Sequence, residues 1–481
     1  MKNIETLSLK ATRGGHRVYL NNKTLERIGF KAGVGFKELH EDGQVRVVVD
    51  TQAQRKVLDS DKGPLMDLRN KQLGDTLPNC ERVTVQYKEN EILITAYHHT
   101  KRVWDREKLF LSKVRNNTAL RMGDLFAGIG LLSRQIHKGL MLAGLTTAMA
   151  FANEYERLPS DVNFNSNEIW QSTTQDAVFV NDNILTMNKK LVPQLDCLVI
   201  GYPCRGFSRQ QGTNRNRDLH HETGNLFIPT LDVINRANPA LVVLENSDHM
   251  IGSDTLMLID SVMKATGYYR TETVLNGREH GDFELRKRLC VVWVSEGLKG
   301  LDLSNVTPIE NNIRTVADIL EPIANDDKAW KDLSHVAKKT TEKSHSHKMC
   351  VSEPDDTTMP TIPATYAKIK ADTPMIAHPT DNGLHRILTS AEHANVRRID
   401  GQFKEAIVSI ATGNHHLTNR TNATASHMML GNSVAPSPWV ALGHFIGRWA
   451  MDSASPRRPV VVNTQKTISV IEQNGQFALA F

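Results

Sequence analysis

Five short apolar runs recur after Arg121, alternating with helix-length segments: residues 122–126, 147–152, 195–200, 241–244 and 289–294. Continuous rather than alternating apolarity marks strands covered on both faces, so the pattern predicts a largely parallel sheet with helices on each side. The fold class is therefore α/β, doubly wound and Rossmann-like. Its ligand crevice is expected at the carboxyl ends of the strands, near the topological switch.

Residues 1–112 have another texture. Stretches 17–20, 44–49, 82–87 and 91–96 are β-branched or alternating, with Asp42-Gly43 as turn chemistry, which predicts a separate N-terminal β-rich domain. Its first part, from Arg17 through residues 22–29 to Val34-Gly35, resembles the swapped-hairpin DNA-binding folds of bacterial regulators. DNA binding, dimerisation and partner contact all stay open for it. Past residue 295 the pattern weakens into a polar stretch holding Lys338-Lys339 and a lysine- and histidine-rich run to Lys348, read either as an insert or as a basic surface for phosphates. Helical patterns return at 390–399 and 430–449, and strand-like runs at 459–463 and 467–471 close the chain. The expected organisation is 1–112, a catalytic domain 113–295, a small region 296–385, a return of the catalytic domain 386–450, and a β-like tail 451–481.

A chain of 481 residues exceeds what one core of roughly 250–300 residues fills, in keeping with several units. The net charge of +5 suits an anionic partner without requiring one. Five cysteines, at 80, 197, 204, 290 and 350, form no CxxC pair, which argues against a disulfide framework or zinc knuckle and fits a reducing cytoplasm. The longest nearly apolar run, 139–152, is shorter than the ~20 residues of a membrane span. His345 and His347 lack further ligands nearby in sequence, so no metal is expected.

The chemistry-bearing residues sit where strands should end. Asp124-Leu125-Phe126-Ala127-Gly128-Ile129-Gly130 is a glycine turn between strand and helix, which either packs the helix or lets the backbone approach a ligand. After the next strand, Glu154 can take ribose hydroxyls and Tyr155 can face an adenine, the strand-end pattern of a nucleoside site. Residues 195–208 run from an apolar strand into Gly201-Tyr202-Pro203-Cys204; a cysteine there is either a crevice nucleophile or a buried structural thiol. Glu245-Asn246 ends another core strand, and Arg286 and Arg288 stand at the start of the last.

A thiol, a carboxyl and an arginine beside a nucleoside cofactor match the demands of methylating cytosine at carbon 5. That carbon is too electron-poor to attack a sulfonium until a thiolate adds at carbon 6. Negative charge then grows on the ring, where a protonated carboxyl and a guanidinium stabilise it. In a duplex the base must first leave the stack.

In order and wording these pieces resemble the DNA cytosine-5 methyltransferase family from about Arg121 to Gly447. The resemblance rests on Phe126-Ala127-Gly128-Ile129-Gly130, Pro203-Cys204 with Phe207-Ser208, Glu245-Asn246, Arg286 with Arg288, Arg386-Ile387-Leu388-Thr389 with Glu392, and Gly431-Asn432-Ser433-Val434. It implies an S-adenosylmethionine-dependent catalytic domain and a target-recognition region at 296–385. It implies Cys204 as nucleophile, Glu245 as acid and Arg288, with Arg286, as the arginines of the site. It also implies Phe126, Gly128, Gly130, Glu154, Tyr155, Asp182, Pro203, Asn432 and Ser433 around S-adenosylmethionine. The partner implied is double-stranded DNA, contacted by Arg205 and Ser208 beside the nucleophile and by Lys338, Lys339, Arg397 and Arg398. Arg205, Ser247 and Glu284 stand where the family commonly has glutamine, valine and glutamine. The alternatives are an RNA cytosine-5 methyltransferase and a catalytically idle DNA-binding regulator of the same fold. A bacterial or phage-encoded protein of the cytoplasm is expected; recognised sequence, biological role and oligomeric state are not readable.

Overall fold

The computed structural model describes residues 3–455 except 42, 79, 208–217, 283, 310–313, 342–348 and 371, with side chains at 337 and 339–341 left aside, and the backbone of 469–473 and 476–480. Strands β1 (Asn3–Ser8), β2 (Lys10–Thr12) and β3 (Gly15–Asn21) lead through a single turn α1 (Thr24–Arg27) to β4 (Phe36–Glu41) and β5 (Gln44–Val49). After β6 (Leu65–Asn70) and α2 (Lys71–Thr76) come β7 (Arg82–Lys88) and β8 (Glu91–Ala96). They form a five-stranded sheet, β1-β7-β8-β5-β4, and a three-stranded one, β2-β3-β6, both antiparallel. Burial alternates along β7 and β8, as it should where one face of a sheet meets a core and the other meets water. That core, around Val18, Leu20, Val45, Val83 and Ile92, is separate from those that follow.

The helix α3 (His98–Arg115) crosses the expected boundary at 112 and docks on the catalytic domain. Its Arg106 is buried, donates to Ser295 Oγ at 2.8 Å and to the carbonyl of Gly267, and lies 3.7 Å from the Tyr268 ring centroid. The catalytic domain follows with β9 (Leu120–Leu125), α4 (Leu131–Leu142), β10 (Thr147–Glu154), α5 (Arg157–Ser166), β11 (Thr173–Asn181) and β12 (Cys197–Gly201). It continues with α6 (Phe227–Ala237), β13 (Leu241–Asn246), α7 (Asp254–Ala265), β14 (Tyr268–Asn276) and β15 (Lys287–Ser295). The seven strands are ordered β11-β10-β9-β12-β13-β15-β14, with all but β15 parallel. The strand order reverses between β9 and β12, so the loops after these two strands open onto one crevice. Apolar cores fill both faces of the sheet.

The segment 296–385, expected to form the target-recognition region, holds β16 (Lys331–Asp332), β17 (Cys350–Ser352), β18 (Pro374–Ala377) and β19 (Leu384–Arg386) in a small sheet, β16-β19-β18-β17, with α8 (Ser334–Thr341) beside it in sequence. The chain returns through α9 (Ser390–Val396), α10 (Gly401–Thr412), α11 (Ala423–Asn432) and α12 (Pro436–Ala454). The turn into α9 is fixed twice. Arg386 and Glu392 form a buried two-bonded pair at 2.6 and 2.8 Å, and Thr389 and Glu392 cap each other's backbone. The single helical stretch expected at 430–449 is broken: α11 stops at Asn432 and α12 starts afresh at Pro436, whose missing N–H costs nothing in a first helical turn. Of the two terminal strand-like runs, 459–463 lies outside the described residues and the second falls in the hairpin β20 (Ser469–Gln473) and β21 (Gln476–Ala480).

Candidate active site

Strand β12 is buried from Cys197 to Ile200 and delivers Gly201, Tyr202, Pro203 and half-buried Cys204 to the crevice. A Cβ at Gly201 would stand 3.2 Å from the Phe126 carbonyl, so a glycine lets the two loops of the switch point pass this closely. Asn246, fully buried, donates to the Tyr202 carbonyl at 3.1 Å and ties the end of β13 to the loop that carries Cys204. Gly201 and Glu245 are register partners, which puts the carboxyl on the edge that carries Cys204. Because β15 runs against its neighbours, its start reaches that same edge. Arg288 Nε lies 2.9 Å from Glu245 Oε1. Burial pushes the Glu245 carboxyl up from its ordinary pKa, against the opposing pull of Arg288 and Arg286.

Arg286, named with Arg288 as a catalytic candidate, is placed differently. It is buried, with Nη2 donating to the Gly431 carbonyl at 2.9 Å and Nη1 to that of Ile362 at 3.4 Å. Burial and the neighbouring Arg288 lower its pKa to about 9, and Glu245 and the Cys204 thiol oppose this. Two of its nitrogens are spent on backbone carbonyls, while Nε is buried without a hydrogen-bond partner among the described residues; the side chain braces the layer under the site. Glu284, flagged only as an unusual residue of the signature, is the hub of this layer. It pairs with Arg397, accepts from Ile362 N at 2.9 Å and lies 3.6 Å from Arg286.

Across the switch, Phe126 adopts φ +54°, a left-handed backbone costly for a residue with a side chain, and its ring meets Tyr202 edge-on at 5.7 Å. Gly128, also at positive φ, has open space where a Cβ would stand. Glu154 accepts from Gly128 N and Glu156 N, both at 2.7 Å, and burial raises its pKa. Asn181 holds the Glu154 and Tyr155 carbonyls, and Asn153 those of Val180 and Asp182, so the ends of β10 and β11 are stitched together, and the Gly128–Glu154 bond adds the loop after β9 to the same rim. Tyr155 presents its ring at 71% exposure, Asp182 is exposed beside it, and Asn432 and Ser433 lie at the end of α11. An open glycine turn, a buried carboxyl and an uncovered aromatic ring on one rim fit a nucleoside with a short charged tail. Asp124, quoted with the glycine turn but assigned no role, is buried beneath it, accepts from Ser133 Oγ at 2.5 Å and has its pKa raised to about 7, chiefly by burial.

Residues 120–447 match the model of C-5 cytosine-specific DNA methylases. The chain belongs to that family. Among its relatives, the Type II methyltransferase M.Bsp6I of Bacillus sp. (strain RFL6) is 29% identical over 177 residues, 36% of this chain and 51% of that protein. The Type II methyltransferase M.HhaI of Haemophilus parahaemolyticus is 26% identical over 216 residues, 44% of this chain and 59% of that one. The chain thus spans little more than half the length of the relatives it matches. Its fold is shared with the Dnmt2 methyltransferase of S. pombe, at TM-score 0.50 and 16% identity over 68% of this chain and 97% of that one. It is shared equally with the Entamoeba histolytica methyltransferase EhMeth, at TM-score 0.52 and 13% identity over 70% and 99%. The doubly wound methyltransferase fold expected from the sequence is the fold observed.

The expected DNA contacts divide. Arg205 is exposed next to Cys204 and Lys338 is exposed on α8, whereas Ser208 and the Lys339 side chain lie outside the described residues. Arg397 is a correction: it is fully buried, pairs with Glu284 and donates to the Leu430 carbonyl at 3.0 Å, so it has no face for a phosphate. Arg398 is partly exposed and pairs with Asp282 at 3.2 Å. His345 and His347 are outside the described residues. A different cluster, Asp161 with His415 and His416, gathers where α5 meets the α10–α11 connection. There His415 Nδ1 accepts from Leu417 N, which leaves its proton on Nε2, facing Asp161. Among the described residues, no helix is long and apolar enough to cross a membrane.

Proposed function

We propose that this methylase-family chain transfers a methyl group from S-adenosylmethionine to carbon 5 of a cytosine extruded from duplex DNA, with Cys204 as the nucleophile. The observation that carries the reading is the meeting of Cys204, Glu245 and Arg288 on one sheet edge, from two strand ends and one inverted strand start. S-adenosylmethionine, when bound, supplies an electrophilic methyl group; Phe126, Gly128, Glu154, Tyr155, Asp182, Pro203, Asn432 and Ser433 would hold it. The Cys204 thiolate adds to carbon 6, and the ring's electron pair moves to carbon 5. Glu245, its pKa raised by burial, donates a proton toward ring nitrogen 3, while Arg288 faces the carbonyl oxygen where charge collects. After methylation a base removes the carbon 5 proton, its electron pair reforms the ring's double bond, Cys204 leaves as the thiolate that added, and the ring nitrogen 3 proton returns to Glu245. Asn246 and Arg286 hold the loops at the spacing these steps need.

The substrate reading rests on family membership and on relatives named as Type II methyltransferases, which favour modification of DNA beside a restriction enzyme, in the cytoplasm. The test is transfer of labelled methyl to unmethylated duplex DNA and to RNA by the wild type and Cys204→Ser, with bisulfite mapping of the product. Methyl on cytosine carbon 5 of DNA, lost in Cys204→Ser, is expected. Transfer to RNA alone would overturn the substrate. Duplex binding without transfer or cofactor binding would make the chain an idle regulator.

A further inference from the structure

The chain that leaves Cys204 and the chain that returns toward α6 touch at one residue, Asp218. The Gly206 carbonyl, two residues past the thiol, accepts from Asp218 N at 3.3 Å, and Phe207 N donates to the Cys204 carbonyl at 3.0 Å. His221 packs on the same spot: a Cβ at Gly206 would stand 3.3 Å from His221 Cβ, and His221 N donates to the Asp218 carbonyl at 3.1 Å.

The Asp218 side chain is fastened to a different element. Its carboxylate accepts from Asp254 N at 2.6 Å, from Thr255 N at 3.2 Å and from the Thr255 hydroxyl at 2.5 Å. Asp254 and Thr255 open α7, and their N–H groups have no partner within the helix; the next one, Leu256 N, is met by Ser253 Oγ at 3.2 Å. A carboxylate at this end is also favoured by the helix dipole. α7 is itself held on the sheet by Leu256, Ile259 and Met263 in the core and by Trp293 of β15, which donates to Asp260 at 3.0 Å. To make its contacts Asp218 takes φ +52°, a left-handed backbone that a residue with a side chain keeps only where its surroundings fix it.

We infer that Asp218 is a positioning residue for Cys204. It ties the loop that carries the thiol to α7 downstream of the thiol, as Asn246 ties it upstream at Tyr202. The role rests on the reading of Cys204 as nucleophile. An attacking sulfur has to be aligned with carbon 6, and misplacement by about 1 Å costs about a hundredfold in rate. A carboxylate that merely capped α7 would leave the thiol where it is, and the two roles separate experimentally.

The test compares the full chain with Asp218→Gly, Asp218→Asn and Thr255→Val. Glycine adopts a left-handed backbone freely, so Asp218→Gly removes the carboxylate without adding strain; asparagine also tolerates that backbone and keeps one acceptor. Thr255→Val removes the shortest contact from the helix side. Methyl transfer to duplex DNA, affinity for S-adenosylhomocysteine, and hydrogen exchange of the DNA-free chain by mass spectrometry are measured for each. Asp218→Gly should lower kcat roughly 10- to 100-fold with affinity for S-adenosylhomocysteine unchanged, which shows that it folds; Thr255→Val should lower kcat less, and Asp218→Asn should recover most of the loss. The amides of residues 204–207 should exchange roughly tenfold faster in Asp218→Gly. Faster exchange confined to the first turn of α7, with kcat within about twofold of wild type, would make Asp218 a helix cap and overturn the inference. So would a fall in kcat matched by an equal fall in affinity for S-adenosylhomocysteine, which would place the damage in the crevice as a whole. If the wild type transfers no methyl group to DNA, the methylation reading fails by itself, and exchange at residues 204–207 still decides whether Asp218 holds the loop.

Discussion

Glu284→Gln is the perturbation that most directly probes how the recognition region is held to the catalytic domain. The Glu284 carboxylate sits between two buried guanidinium groups, Arg397 at one side and Arg286 3.6 Å away, and also accepts the backbone N–H of Ile362 in the recognition region. A glutamine keeps one acceptor for Ile362 but leaves two buried cations without their nearest anion. Breaking a buried pair in this way costs about 3–5 kcal/mol, a large part of the roughly 5–15 kcal/mol that a domain has to lose. Replacing Arg397 with methionine in the same chain removes one uncompensated charge at similar side-chain length, so the double variant should be more stable than Glu284→Gln alone. The assay is urea unfolding by tryptophan fluorescence, with Trp330 in the recognition region and Trp293, Trp439 and Trp449 in the catalytic domain as reporters. A Glu284→Gln chain within about 1 kcal/mol of wild type would refute the argument, because the pair would then be contributing no more than an exposed one. A double variant less stable than the single would refute it as well.

Other consequences follow from named contacts. In the proposed mechanism Glu245 acts protonated, and its raised pKa predicts that turnover is retained below that pKa and lost as pH rises through it; Glu245→Gln should lower kcat by roughly 10²–10⁴ and abolish that alkaline limb in a pH–rate profile. Asp124 has a folded-state pKa of about 7 against an ordinary 3.8, so the stability it lends is full below about pH 4 and disappears toward and above pH 7. Asp124→Asn should therefore flatten the fall in unfolding free energy between about pH 4 and 7, read by denaturant titration at each pH. Gly431→Ala places a Cβ 2.5 Å from the Pro363 backbone and should cost about 1–3 kcal/mol as the C-terminal return and the recognition region are forced apart. Arg397→Met, unlike Arg205→Ala, should leave the salt dependence of duplex binding unchanged, measured as the slope of log affinity against log salt.

What could be read in the chain followed from how local each signal is. The central strands β9, β10, β12, β13 and β15 were legible because burial on both faces writes an apolar run. The edge strands β11 and β14 do not read as core runs because Thr173–Asn181 and Tyr268–Asn276 mix polar, half-buried or exposed side chains with their apolar ones. Arg397 reads as a surface charge from its neighbours, since the Glu284 that neutralises it is 113 residues away. Cys204 and Glu245 could be assigned to one edge from sequence because both follow strands of the same direction. Arg288 could not, because the start of a strand lies on the opposite edge in a parallel sheet and on the active edge only if the strand is inverted. An arginine needed at the site, standing before an apolar run rather than after one, is therefore itself the sequence signal for the inversion of β15, and it sets a strand direction that hydrophobic pattern alone does not carry.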